Sequence, residues 1–303
     1  MAMLPPPTLY TPPLEPPPIF LDTVDFTAKE DIEVFATKAK EAGALPALPP
    51  RDGSAHISSA ALVVGLDYRG TQMELAGCIN DAINVRDMLI SKGYEVHTIT
   101  DEFEVVTKRD VCMALMSLIL HPTATRLYFH YSGHGSQVRD ANGDEIDGLD
   151  ECLALQFEDI LDDELRGMVC CVDEGKRLMC VLDCCHSGSG MDLKYTLYES
   201  FGGGNTRKNR FHRDSRSAVS TRGEVLLLSG CQDEQTSADM TVRGQAQGAM
   251  TASILKTLRD TPKLRFIDLL RGCRDELKRM NCGQYPSFSS GRSDMDINRV
   301  FDY

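Results

Sequence analysis

The sequence predicts an α/β fold, a mostly parallel central β-sheet with helices on both faces. Three observations carry that prediction. From Ser59 onward, short apolar runs alternate with amphipathic stretches. The apolar runs have no polar face, so each reads as a strand buried on both sides. Helical stretches separate them in β-α-β order, which brings successive strands side by side and parallel. In such a sheet functional groups gather at the strand C-terminal ends.

The elements follow in order. Eight of the fourteen prolines fall between Pro5 and Pro18 and three more lie at Pro46, Pro49 and Pro50, so residues 1–55 are expected to be a Pro-rich N-terminal extension. Within it, Thr27 to Ala42 has helical composition, with Thr27 and Glu30 spaced as a cap; a solvated polyproline-like tail is the alternative. Ala60 to Leu66 (AALVVGL) reads as the first strand and Ala76 to Ser91 as a helix ended by Gly93. Tyr94 to Ile99 is the second strand and Lys108 to Leu120 the second helix. Arg126 to Ser132 (RLYFHYS), Arg177 to Asp183 (RLMCVLD) and Glu224 to Ser229 (EVLLLS) are three further strands, and Ala246 to Leu258 and Arg265 to Met280 are helices.

Composition bounds the function. A chain of 303 residues, 42% hydrophobic and 25% charged, can bury a full core. No run approaches the roughly 18 apolar residues of a membrane span and no signal segment opens the sequence, so a soluble cytoplasmic protein without membrane attachment is expected. Eleven cysteines, an odd number, then point to reduced thiols. A net charge of −13 disfavours nucleic acid and suits a cationic partner.

Chemistry concentrates in two motifs at predicted strand ends, "HYSGHGSQ" around His134 and "VLDCCHSGSG" around Cys185. If strand alternation persists to Cys185, then Leu178, Cys180, Leu182 and Cys184 share an apolar face while Asp183 and Cys185 share the other. Cys184 is thus expected to be packing and Cys185 the nucleophile. His186 is its immediate neighbour and diverges from it, so the base should come from elsewhere; His134, between two glycines, is the best placed. A zinc or redox module on Cys170, Cys171, Cys180, Cys184, Cys185 and His186 is the rival, but it lacks a repeated C-x-x-C spacing.

"YSGHG" followed by "DCCHSG", with an acidic stretch between, resembles the metacaspases, caspase-like cysteine peptidases, over about residues 59–300, with a layout similar to type I. The resemblance implies a caspase-like fold with a large-subunit region at 56–193, a basic flexible linker at 194–222 and a small-subunit region at 223–303. It implies peptide-bond hydrolysis by the dyad Cys185 and His134. A caspase-like scaffold without peptidase activity is the alternative, and a monomer is expected.

Charge argues for specificity independently. Asp183 precedes the nucleophile on its face, and Asp81 follows the first strand in "LAGCINDA"; two carboxylates there favour Arg or Lys at the cleavage position. Each is otherwise a plain structural carboxylate, Asp81 at a helix start and Asp183 buried in a strand. The metacaspase pocket positions, by resemblance, match Cys78, Asp81, Ser132 and Asp183.

Residues 140–174 hold thirteen acidic residues against one Arg, a run that ordinarily marks a solvated loop. Asp140, Asn142, Asp144 and Glu151 imitate an EF-hand, but Glu145 stands where its glycine belongs. Clustered carboxylates suit Ca2+ of another geometry, and the resemblance implies calcium as activator, with Asp150, Asp162, Asp163 and Asp192 as ligands. The linker is instead basic, with Lys194, Arg207, Lys208, Arg210, Arg213, Arg216 and Arg222 against Glu199 and Asp214. A peptidase cutting after basic residues would find its own substrate there, with Lys194, Arg207, Lys208 and Arg210 as the leading sites.

Overall fold

The computed structural model of the protein describes residues 58–139, 148–184, 191–202, 206–213, 220–230, 239–242, 245–261 and 263–301. Strand β1 (Ser59–Gly65) leads to helix α1 (Cys78–Ser91), β2 (Glu95–Thr100), α2 (Lys108–Ile119) and β3 (Arg126–Ser132). Then come β4 (His134–Arg139), β5 (Leu149–Ala154), β6 (Asp159–Leu161), α3 (Asp162–Val169) and β7 (Arg177–Asp183). The chain continues through β8 (Tyr195–Gly202), β9 (Thr206–Arg213), β10 (Glu224–Ser229), β11 (Asp239–Val242), β12 (Gln245–Gly248), α4 (Ala249–Asp260), α5 (Phe266–Arg279) and β13 (Ser287–Ser290).

Eight strands form the central sheet in the order β2-β1-β3-β7-β10-β13-β8-β9. The pairs from β2 to β10 are parallel, and the three beyond are antiparallel. Period-two alternation divides the strand side chains between two apolar layers. Leu62, Phe129 and Leu182 face α2 and α3; Val63, Tyr128 and Val181 face α1, α4 and α5. The helices therefore cover both faces, as the uniformly apolar strands require. Cys184 is 1% exposed and lies with Leu178, Cys180 and Leu182 in the first layer, the face that strand parity predicts.

Helix ends follow local chemistry. Thr107 and Asp110 cap α2 reciprocally, Thr107 Oγ1 accepting from the Asp110 N–H at 3.2 Å and Asp110 Oδ2 from the Thr107 N–H at 2.9 Å. The α1 N-terminus is capped from outside: Asp67 Oδ1 accepts from the backbone N–H of Cys78 (2.9 Å) and Ile79 (3.1 Å). That fastens the start of α1 to the segment leaving β1.

Two expectations need correction. The basic stretch is not a loose loop throughout, because β8 and β9 pair as an antiparallel hairpin that extends the sheet through β13. The described part of the acidic stretch is ordered, with β5, β6 and α3 forming within it and burying Asp150, Glu151 and Asp162, which goes against the solvated loop that such runs ordinarily form. Residues 246–248, read as the start of a helix, belong to strand β12, paired with β11 ahead of α4. The expected Thr27 to Ala42 helix lies outside the described residues.

Candidate active site

His134 opens β4 two residues beyond Ser132, the end of β3, and two buried tyrosines hold it. Its backbone N–H donates to Tyr68 Oη at 2.9 Å, and its carbonyl accepts from Tyr131 Oη at 3.0 Å. The Tyr68 and His134 rings pack with centroids 4.8 Å apart. Burial raises both phenols well above the usual tyrosine range, so both stay protonated. Gly133 lets the phenols close in: a Cβ there would fall 2.7 Å from Tyr131 Oη and 2.8 Å from Tyr68 Oη.

The imidazole side is fixed as well. His134 Nε2 lies 2.7 Å from the Met73 carbonyl oxygen, which only accepts, so the ring proton sits on Nε2. Nδ1 is left as the basic nitrogen. An imidazole whose Nε2–H is held by a backbone carbonyl is oriented to take a proton from a thiol at Nδ1. Cys185 lies outside the described residues, and so does His186.

At the same sheet edge two carboxylates converge. Register places Ser132 beside Asp183, and the Gly133 N–H lies 3.4 Å from the Asp183 carbonyl. Asp81, one turn into α1, accepts from Ser132 Oγ at 2.8 Å and from the Gly248 N–H at 2.8 Å. Asp183 Oδ2 accepts from the Thr251 N–H at 2.8 Å and from Thr251 Oγ1 at 2.7 Å. Both acids thus sit at the N-terminus of α4, where exposed backbone donors favour negative charge. Gly248 passes between them, and a Cβ there would lie 2.2 Å from Asp183 Oδ2 and 2.8 Å from Asp81 Oδ2. Cys78, on the same face of α1 as Asp81, is buried beside this group. All four expected pocket residues are therefore gathered at one strand-end edge with His134. Gly248 and Thr251 were not foreseen, since they act through backbone and a hydroxyl far away in sequence. Tyr68 and the Met73 carbonyl left no sequence signal either.

A second acidic centre lies at the start of α3. Carboxylate oxygens of Asp162, Asp163 and Asp192 come within 4.8 Å of one another, and Asp192 adopts φ 43°, a left-handed backbone that Asp tolerates. Asp162 accepts from the N–H of Glu151 (3.1 Å) and Asp163 (2.8 Å). Arg166 pairs with Asp163 and, at 2.7 Å, with Asp192. One guanidinium does not balance three acids: burial, then the charges of Asp192 and Glu151, push the Asp162 carboxyl above the usual carboxylate range. Three hard oxygen donors with excess negative charge fit a divalent cation such as Ca2+. Asp150 is buried on β5 and is not one of those three.

Lys194 donates to Ser220 Oγ at 3.1 Å. Arg207, Lys208 and Arg210 fall on β9, in register with Phe201, Ser200 and Tyr198 of β8.

Comparison with known proteins gives a consistent picture. The family model of the caspase domain (Peptidase_C14) matches residues 58–295. Metacaspase-1 of Schizosaccharomyces pombe is 33% identical over 291 residues, covering 78% of this chain and 68% of that relative. Metacaspase-1 of Arabidopsis thaliana is 35% identical over 240 residues, covering 74% of this chain and 65% of that relative. Among solved structures, protein GSU0716 of Geobacter sulfurreducens aligns with TM-score 0.60 at 23% identity, over 80% of this chain and 97% of its own. Caspase-1 of Spodoptera frugiperda aligns with TM-score 0.51 at 14% identity, over 83% and 94%. These two likenesses speak for the fold alone.

Proposed function

The chain belongs to the metacaspases, caspase-domain cysteine peptidases, and from that premise we propose that it is a calcium-dependent endopeptidase cutting after Arg or Lys. One observation carries the specificity: the Asp81 and Asp183 carboxylates converge on Gly248 at the strand-end edge that also bears His134. A cationic side chain entering there meets two anions away from bulk water, where charge-assisted contacts are strongest.

Cys185 follows Asp183 by two residues, so chain length alone keeps it within about 7 Å of that backbone. Its thiol gives its proton to His134 Nδ1, and the thiolate attacks the scissile carbonyl carbon. The imidazolium then protonates the leaving amine, and water, activated by the same ring, releases the acyl group. The Met73 carbonyl steadies the ring as its charge develops. Asp162, Asp163 and Asp192 would hold Ca2+, which supplies charge neutralisation at the start of α3. Self-cleavage after Lys194, Arg207, Lys208 or Arg210 belongs to the same reading.

Fluorogenic peptides differing only at the cleavage position, assayed with calcium and with excess chelator, test the proposal. Turnover of Arg and Lys peptides, absent for Asp, lost in chelator and lost in Cys185→Ala and His134→Ala proteins, is expected. Efficient cleavage after Asp would overturn the acidic pocket, and full activity in chelator would overturn the calcium requirement.

A further inference from the structure

His130 stands in the middle of β3 with no exposed surface. In register it lies between Val63 of β1 and Val181 of β7, both in the apolar layer beneath α1, α4 and α5. An imidazole among valines is a poor packing choice, because a ring nitrogen buried without a partner is costly. Burial pushes its pKa down to about 3, so the ring is neutral and carries one N–H.

Where that N–H points follows from its neighbour. His130 Nε2 lies 3.4 Å from Thr251 Oγ1, long for a hydrogen bond but on a single-proton hydroxyl. Thr251 Oγ1 gives that proton to Asp183 Oδ2 at 2.7 Å. With its proton committed, Oγ1 can only accept from the ring, which places the ring proton on Nε2. Nδ1 is buried without a hydrogen-bond partner among the described residues. The donors therefore run in one direction, from His130 through Thr251 to the pocket carboxylate, and each polarises the next.

We propose that His130 is a positioning residue for substrate selectivity, holding Thr251 so that the Asp183 carboxylate keeps one orientation toward the substrate's basic side chain. The inference rests on the reading that Asp183 meets that side chain. It assigns the buried histidine a task in discrimination and leaves the chemical step to His134.

Matched peptides carrying Arg, Lys or citrulline at the cleavage position, citrulline being the uncharged counterpart of arginine, separate the cases. In His130→Leu, KM for the Arg and Lys peptides should rise on the order of tenfold, with kcat within about twofold and the citrulline peptide unaffected. His130→Gln, which can offer an N–H from a similar position, should recover most of the loss. Equal losses on Arg and citrulline, or an unchanged Arg-to-citrulline ratio, would overturn the proposal. A wild-type enzyme with no preference for Arg over citrulline would instead sink the reading of Asp183 itself. Should His130→Leu fail to fold, nitrogen-detected NMR of the histidine-labelled wild-type protein decides: a proton on Nε2 across neutral pH is expected, and one on Nδ1 overturns the assignment.

Discussion

Two adjacent cysteines divide the labour at the end of β7. Cys184 packs in the apolar layer with Leu182 and Tyr131, whereas the next residue is the proposed nucleophile. Cys184→Ala removes one small buried group and should cost about 1 kcal/mol of stability, leaving kcat/KM within about fivefold of wild type. Cys185→Ala should abolish turnover with an unchanged melting temperature. Comparable inactivation by both substitutions in folded proteins would remove the distinction. Parity alone made Cys184 legible, because alternation along a strand is a local property. Tyr68 and Thr251 were illegible for the opposite reason: one reaches His134 across 66 positions and the other reaches Asp183 across 68, and no local pattern encodes such meetings.

At the level of elements, the parallel strands were readable from apolar runs and helices α1 and α2 from amphipathic stretches, while α3, β8, β9 and β13 were not. TRKNRFHR has the charge of a solvated loop, and only pairing with β8 makes it a strand. Tertiary pairing outweighed composition there. Strand β2 carries a different tension. Both carboxylate oxygens of Glu95 are buried without a hydrogen-bond partner among the described residues, and burial pushes its pKa from 4.5 up to about 7. A carboxyl with a raised folded-state pKa favours the fold while protonated, so this contribution is present below about pH 4.5 and is lost as pH rises toward 7. Glu95→Gln abolishes the titration. Its melting temperature relative to wild type should climb across that window and level off above it, with a span of about 1 kcal/mol after allowing for partial exposure. A difference that stays flat with pH would mean that the carboxylate is solvated.

On the scale of the whole molecule, the sheet ties the two halves of the chain together on both sides of the basic hairpin. β7 pairs with β10, and β13 pairs with both β10 and β8. Calcium-triggered cutting after Arg207, Lys208 or Arg210 should therefore yield fragments that co-elute on gel filtration at the mass of the intact protein and remain active. Separation of the fragments would show that the strand pairing is too weak to hold them, and identical fragments from Cys185→Ala would assign the cuts to another enzyme. The pocket itself straddles that seam, since Asp81, Ser132 and Asp183 come from before the hairpin while Gly248 and Thr251 come from after it. Translation runs from the N-terminus, so a growing chain receives both proposed dyad positions well before the ribosome adds residues 248–251. Until those arrive, Asp81 and Asp183 lack the Gly248 and Thr251 donors that hold them in the folded protein, so a discrimination built on these carboxylates, as proposed above, would come later in synthesis than the dyad positions.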